Sequence, residues 1–423
     1  MAATMPSPPS YLRPFLTILG LVAGVTTTFR QFGITSFPVD MVIYREGVWA
    51  FLEGREVYSV PMLAGETELP FIYPPFGALA LAPFSYRGLS HNIAGDLMLG
   101  LSNLLLLACL YLVLRAVITP AARPWLLPLS TVSWGAVLAW EPVELNNGFA
   151  QINIIIMALV VFDLVPRRRL LPQGWLIGLA IAIKVTPAAM LLYFLLRKEI
   201  RPILTAGLSA LAATGIGALI RWDATKEYFG SVLLGMGAGD DFGVDPTYTS
   251  NSSLHAMLTR WSPTEEWAND HAQLLNLAWL FCSLLVIVAG AWIMLRLLRA
   301  HRDTEAWLIG ALIMLLISPV SWSHHWVWLT LILPVTAWHL FASPLQRRWF
   351  LGAIAGTWAL MLASNPPKWW FGDGISYTEL SPFQRFLVSD YVWMALLLLL
   401  AVALAQPKIT EPRTAVKAVT PAG

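Results

Sequence analysis

The chain has 423 residues, of which 57% are hydrophobic and only 12% charged, with a mean hydropathy of +0.64 and a formal charge of +2. Soluble domains carry about 25% charged residues, so the composition excludes a soluble protein, and the near-neutral balance leaves no overall basic surface for nucleic acid. Cys109 and Cys282 both fall in apolar segments and are too few for a disulfide framework.

Residues 1–10 are small, polar and Pro-rich, and Leu12 to Phe29 follows as an apolar run after a single Arg13. It is long for a signal h-region and no A-x-A site follows, so it reads as an uncleaved anchor. The stretch from Phe37 to Pro83 is where acids first appear: Asp40, Glu46, Glu53, Glu56, Glu66 and Glu68. Met41, Val42, Tyr44, Val48, Trp49, Phe51 and Leu52 recur at helical spacing between them, predicting an amphipathic helix on a membrane surface that stops at Gly54. Ile72-Tyr73-Pro74-Pro75-Phe76 starts a second short apolar run, with Pro suited to a first helical turn.

Further apolar runs of spanning length lie near 92–115, 125–140, 148–165, 201–220, 272–298, 305–320, 325–341, 348–363 and 388–405. The run 174–196 differs, because both its flanks are basic: Arg167-Arg168-Arg169 before it and Arg197-Lys198-Glu199-Ile200-Arg201 after it. Short basic loops prefer the cytoplasm, and Pro187 breaks the helical ladder. The segment therefore reads as a hairpin, about 172–184 and 186–197, with Lys184 at its apex. The expectation is an all-α polytopic membrane protein of about 12 transmembrane helices with both termini cytoplasmic. Residues 1–405 would form a single integral membrane domain and 406–423 a cytoplasmic tail. The proposed inner segments carry 17 of the 27 basic residues, and the outer side holds the long loops 31–91, 221–271 and 364–387 with juxtamembrane helices. Many of the 20 Trp (Trp125, Trp140, Trp175, Trp222, Trp326, Trp349) sit at segment ends, as an interfacial belt would place them.

Few polar residues could carry chemistry. Asp40 is a carboxylate just beyond the first helix, which position alone would read as a solvated loop acid. Lys184 lies in an otherwise apolar stretch, where ionisable groups are costly and mark function; an ammonium there suits a phosphate. His324 and His325 occupy a turn between two apolar segments. Neighbours on a helix point about 100° apart and no H-x-x-x-H or Glu partner accompanies them, so no metal site is expected. Asn251-Ser252-Ser253 has the form of a glycosylation sequon. Asn146, Asn147, Gln151 and Asn153 place amides at a helix end, suited equally to sugar hydroxyls and to backbone.

Taken together, these residues resemble a known family. The acid after the first helix, Tyr44, Gly54-x-x-x-Tyr58 and Tyr73-Pro74-Pro75 resemble the first outer loop of GT-C glycosyltransferases. Gly148–Asn153 (GFAQIN) is similar to their G-Q-x-N pattern with an insertion, and Gly178…Lys184-x-x-Pro187 after a basic loop also matches. Asn251-Ser252-Ser253 and Ser318-Pro319-x-Ser321-Trp322-x-His324-His325 narrow the resemblance to the actinobacterial polyprenyl-phosphate-mannose-dependent α-(1→2)-mannosyltransferases.

That resemblance implies a GT-C fold in the plasma membrane with its active site on the outer face. It implies an inverting transfer of mannose from polyprenyl-phosphate-mannose to a phosphatidylinositol mannoside acceptor, without cofactor or nucleotide sugar. Asp40 takes the catalytic acid position and would serve as general base, and His324 or His325 is the functional His. Lys184 falls on a polar position assigned on physical grounds to the donor phosphate; Tyr44, Tyr73, Gln151, Asn153, Asn251 and Trp322 would contact substrate. An inverting displacement needs one base and groups that hold the departing phosphate, and no nucleophile. Alternatives are a mannosyltransferase branching lipomannan or lipoarabinomannan, an arabinofuranosyltransferase using polyprenyl-phosphate-arabinose, or a lipid or sugar transporter, which would show two similar halves with matching broken helices.

Overall fold

The computed structural model describes residues 11–33, 37–165, 168–235, 244–342 and 347–405. The expected tail at 406–423, the first ten residues and Arg167 lie outside the described residues.

The described chain is almost wholly helical. After α1 (Leu12–Gln31) and α2 (Val39–Glu53), a small hairpin of β1 (Met62–Ala64) and β2 (Thr67–Leu69) leads to α3 (Pro75–Leu81), α4 (His91–Val117) and α5 (Leu126–Val137). α6 (Glu141–Gly148), α7 (Asn153–Leu164), α8 (Trp175–Ile183), α9 (Leu191–Leu196) and α10 (Ile200–Ile220) follow. A run of short helices comes next: α11 (Trp222–Glu227), α12 (Leu233–Gly235), α13 (Leu254–Arg260) and α14 (Glu265–Asp270). The chain closes with α15 (Ala272–Arg299), α16 (Asp303–Ile317), α17 (Leu329–Ala342), α18 (Arg348–Ala363), α19 (Pro382–Val388) and α20 (Asp390–Ala405).

The amphipathic stretch is α2, ended by Gly54 in the left-handed region at φ 80°, a conformation a side chain would disfavour. Tyr73–Tyr86 forms two short helical pieces, α3 beginning at Pro75 and a 3-10 turn, and so does not span. The β-hairpin is an addition to the sequence reading; its turn at Gly65 takes φ 65°.

Five helices, Leu12–Gln31, His91–Val117, Ile200–Ile220, Ala272–Arg299 and Ser323–Ala342, are long and apolar enough to cross a membrane, and two bent pairs raise that to seven. The other predicted segments are helical but shorter. The expected 305–320 ends at Ile317 because Ser318 precedes a proline and turns extended. The expected 148–165 starts only at Asn153, after a 117° bend from α6. Where helices face outward they are apolar: α1 buries only Gly20, Gly24 and Gln31. A helix that is apolar all round belongs in an interior, and α16 is buried from Ala306 to Leu316. Apolar surface outside and an apolar core inside describe a multi-pass membrane protein.

Around Lys184 the chain turns back on itself. α8 ends there in extended backbone (φ −151°, ψ 129°), and the helical path resumes at Thr186. The beginning of α8 lies against the first turns of α10: a Cβ on Gly174 would stand 2.1 Å from the Pro202 carbonyl oxygen. Since α9 also ends beside α10, at Leu196, both ends of the segment lie together while Ile183 reaches α3, where a Cβ on Gly77 would stand 2.9 Å from its carbonyl oxygen. Gly178 permits the close approach of α8 and α10, a Cβ there falling 2.3 Å from the Ala206 oxygen. In a background with Cys109 and Cys282 replaced by alanine, single cysteines at Arg168 and Glu199 should react with an impermeant maleimide from the same side of the membrane. Labelling of the two from opposite sides would exclude the hairpin.

Candidate active site

Asp40 is in the first turn of α2, where the helix N-terminus favours a carboxylate. Tyr44 is one turn further on the same face. The α6–α7 break delivers Gln151 and Asn153; it is closed by Gln151 N–H donating to Asn146 O at 2.7 Å and holds Ala150 at φ 55°. A left-handed alanine costs about 1 kcal/mol, strain stored where the amide must be aimed.

Gln151 is the hub. Its Nε2 donates to Asp40 Oδ2 at 2.7 Å, while its Oε1 accepts from Tyr44 OH at 2.5 Å and from Tyr73 OH and Asn153 Nδ2 at 3.4 Å each. The phenols stand 2.8 Å apart with rings edge to face. Because an ionised carboxylate can only accept, the amide nitrogen points at Asp40 and the amide oxygen is left to the phenols. Tyr44 and Tyr73 are both buried, and their hydroxyls orient Gln151.

From Gln151 the network continues to the other charge. Lys184 Nζ donates to Asn153 Oδ1 at 3.2 Å and to His325 Nε2 at 3.0 Å, and lies 5.6 Å from the Tyr73 ring centre. An ammonium has only donors, so His325 accepts through Nε2 and carries its proton on Nδ1. His324 is buried with no hydrogen-bond partner for either ring nitrogen among the described residues; it packs edge-on to Phe149 at 5.7 Å and lies 4.8 Å from the His325 ring. Asn153, Lys184, Ser321 and His325 line one pocket with Trp328 and Pro187. Burial pushes the Asp40 carboxyl up to about 6, opposed by the Gln151 hydrogen bond and then by the Lys184 charge. Asp40 is therefore a stronger base than a solvated aspartate. Glu46, Glu53 and Glu56 differ: they lie at the surface, paired with Arg55 (Glu46, Glu53), Arg87 (Glu53) and Ser59 (Glu56).

The remaining expected site residues lie apart from this network. Asn251 is fully buried, its Nδ2 given to Pro246 O at 2.8 Å and its Oδ1 accepting from Ser321 N at 2.9 Å and Ser253 N at 3.3 Å. The Asn251 amide is spent on backbone, so it acts as a strut tying the segment before α13 to the histidine turn. Trp322 is half-buried beside that strut. Asn146 and Asn147 are structural too. Asn153 donates to Asn146 at 3.3 Å, Asn146 to Asn147 at 3.3 Å, and Asn147 to Gln31 of α1 and Asn103 of α4 at 2.9 Å each. Among the described residues no three His, Cys, Asp or Glu side chains come together as metal ligands would.

A second polar node has no counterpart in the sequence reading. Lys368, fully buried, donates to Ser252 Oγ at 2.8 Å and Ser323 Oγ at 3.1 Å, faces Asp390 Oδ1 at 3.5 Å, and sits over the Tyr391 ring. Tyr391 OH and Trp369 Nε1 both donate to Glu141, at 2.5 and 2.8 Å. The only signal in the sequence is a lone lysine between prolines and tryptophans in a loop expected on the outer side.

A base held by an amide in a water-poor break, with an ammonium and an imidazole at the far end of the same network, suits transfer of a group between an alcohol and an oxyanion leaving group. The network joins one carboxylate to an ammonium and an imidazole, and the class this arrangement suits is a membrane-embedded transferase. The chain belongs to glycosyltransferase family 87, whose pattern it matches over residues 71–319. It is 32% identical over 431 residues, 96% of this chain and 94% of the relative, to the polyprenol-phosphate-mannose-dependent alpha-(1-2)-phosphatidylinositol mannoside mannosyltransferase of Mycobacterium tuberculosis. It is 27% identical over 385 residues, 85% of each chain, to the polyprenol-phosphate-mannose-dependent alpha-(1-2)-phosphatidylinositol pentamannoside mannosyltransferase of Mycolicibacterium smegmatis. Among solved structures, ArnT from Cupriavidus metallidurans bound to undecaprenyl phosphate superposes with a TM-score of 0.44 at 14% identity, over 91% of this chain and 76% of that one.

Breaking a buried ion pair from one side costs about 3–5 kcal/mol. Lys368→Ala should thus lower the thermal midpoint of the purified protein by several degrees, and adding Asp390→Asn should restore part of the loss. An unchanged midpoint in Lys368→Ala would show that the node carries no stability.

Proposed function

We propose that the chain transfers mannose from polyprenyl-phosphate-mannose to a mannosyl hydroxyl of a phosphatidylinositol mannoside, forming an α-1,2 linkage with inversion. The observation that carries the reading is the Asp40–Gln151 hydrogen bond, which presents a basic carboxylate at one end of a network whose other end is the Lys184–His325 pair. Asp40 takes the proton of the acceptor hydroxyl as its oxygen bonds to the anomeric carbon. The bond from that carbon to phosphate breaks on the opposite face, and the electron pair leaves with polyprenyl phosphate. Lys184, with His325, meets the charge that develops there. His324, its ring nitrogens without protein partners, is the other candidate for the functional imidazole. Gln151 and Asn153 keep base and cation in one frame, with Tyr44 and Tyr73 holding Gln151, and Trp322 stands on the acceptor side.

The names of the relatives support this donor and acceptor over a long mannan, an arabinose donor or a transported solute. In this reading the domain of residues 1–405 is a GT-C fold of twelve membrane helices. Both termini, including the tail at 406–423, are cytoplasmic, and the site opens on the outer face of the plasma membrane, a placement supported by the basic bias of the segments assigned inside.

Asp40→Asn should fold and bind lipid donor yet lose transfer by about 10²–10⁴, the usual cost of removing a general base, whereas Glu46, Glu53 and Glu56 to Gln should lose little. A base acts deprotonated, so wild-type kcat/KM should fall as pH drops through about 6. Gln151→Leu removes a hydrogen bond that favours the charged carboxylate, so it should move that limb to higher pH. Near-full transfer by Asp40→Asn, or a limb near the usual aspartate value, would identify a different base.

Lys184→Ala should raise the KM for lipid-linked mannose more than that for acceptor. His325→Ala should share that donor defect, because the two side chains form one hydrogen-bonded unit. Initial-rate kinetics with each substrate varied decides it: an unchanged donor dependence in Lys184→Ala removes both from the phosphate site. A loss confined to His324→Ala would instead make His324 the functional imidazole.

A further inference from the structure

A group of aromatic side chains that includes Trp322 stands beside the network of Asp40, Gln151 and Lys184. The Tyr248 ring lies 6.2 Å from Trp322 and 6.1 Å from Trp369, and all three are half-buried. They come from three separate segments: the stretch before α13, the turn after α16 and the loop after α18. Two carboxylates border them, Glu141 accepting from Trp369 Nε1 at 2.8 Å and Asp373 accepting from Tyr248 OH.

The buried Lys368 fixes this arrangement. It adjoins Trp369 in sequence, donates to Ser323, which adjoins Trp322, and donates to Ser252, four residues after Tyr248. The rings are thereby held in mutual register before any ligand arrives, which lowers the ordering cost of binding.

Partly exposed aromatic faces with a hydrogen-bond acceptor at their edge suit a neutral pyranose: its C–H face packs on the rings and its hydroxyls donate to the exposed Asp373 carboxylate, while Glu141 holds the Trp369 ring. The same carboxylates would repel a phosphate, which separates this group chemically from the Lys184 end of the site. Trp322 precedes His324 by two residues. Trp369 is bound to the first residue of α6, whose eight residues rise ~12 Å to the break that holds Gln151. The group therefore runs from the histidine turn away from Asp40.

We propose that Tyr248, Trp322 and Trp369, edged by Glu141 and Asp373, form a subsite for the acceptor's preceding mannose units, those next to the one that receives the new sugar. The proposal rests on the mannosyltransferase reading above and specifies how that site measures its acceptor.

The test uses the full chain in nanodiscs, with lipid-linked mannose and phosphatidylinositol mannosides carrying several mannoses as substrates. Trp369→Ala should raise acceptor KM about tenfold (~1.4 kcal/mol) while donor KM stays within about twofold, and Trp369→Phe should recover most of the loss. Thermal unfolding of both variants identifies any general loss of fold, and Trp369→Phe keeps the test decisive if Trp369→Ala proves unstable. Saturation-transfer NMR with methyl α-mannobioside reads the subsite without turnover: wild type should saturate the sugar protons and Trp369→Ala should not. Equal saturation by both, or a donor KM that rises as much as acceptor KM, overturns the subsite. Absence of any wild-type transfer from lipid-linked mannose overturns the functional reading instead, and the NMR arm still decides whether the aromatic group binds mannosides.

Discussion

The arrangement depends on one hydrogen bond, from Gln151 Nε2 to Asp40 Oδ2. It joins residues 111 positions apart, the largely buried α2 to the break between α6 and α7. Backbone irregularity inside a membrane protein is tolerated only where other groups satisfy the freed polar atoms. Here the breaks at Gln151, Lys184 and His324 do that for one another. Asn153 Nδ2 donates to the His324 carbonyl at 3.5 Å and accepts Lys184 through its side-chain oxygen at 3.2 Å. The interruptions that give the chain its chemistry are thus tied to one another through Asn153.

The spacing between charges matters as much as their presence. Lys184 bonded directly to Asp40 would pull the carboxyl down by one to three pH units, as a neighbouring cation does, and blunt it as a base. The amides of Gln151 and Asn153 stand between them instead. The carboxylate then keeps most of the effect of its burial, and the ammonium keeps its charge for another partner. Asp40 itself forbids the one reorganisation that would spoil this, a flip of the Gln151 amide that would set its oxygen against the carboxylate.

The sequence shows the frame plainly. Long apolar runs, Gly54 as a helix stop and Pro75 as a helix start are local signals; the two caps stand where they predict, while several runs are shorter than read, as at Asn153 and Ile317. What it cannot show is where a side chain spends its hydrogen bonds. Asn251 and Gln151 are both amides in family-like motifs, yet one is consumed by Pro246 and Ser321 and the other faces Asp40. Lys368 escapes for the opposite reason: nothing local marks a loop lysine as buried, because its partners Ser252, Ser323 and Asp390 come from three distant segments. The α6–α7 break is half legible, since GFAQIN announces amides but not the left-handed Ala150 that aims them.

The two polar nodes meet at a single turn, which explains why so short a segment can hold functional imidazoles. Ser323 receives Lys368, the His324 carbonyl receives Asn153, and His325 receives Lys184. Three successive residues are thus held by three different parts of the chain, one of them side chain to backbone. A turn constrained on both sides cannot relax toward a preferred helix, so it keeps its 3-10 form from Ser323 to Trp328 and presents two rings at right angles. Such preorganisation lets hydrogen-bonding groups stabilise developing charge without being rearranged during the reaction. It also couples the aromatic side of the turn to its phosphate side through one residue, Ser323, rather than through a moving lid.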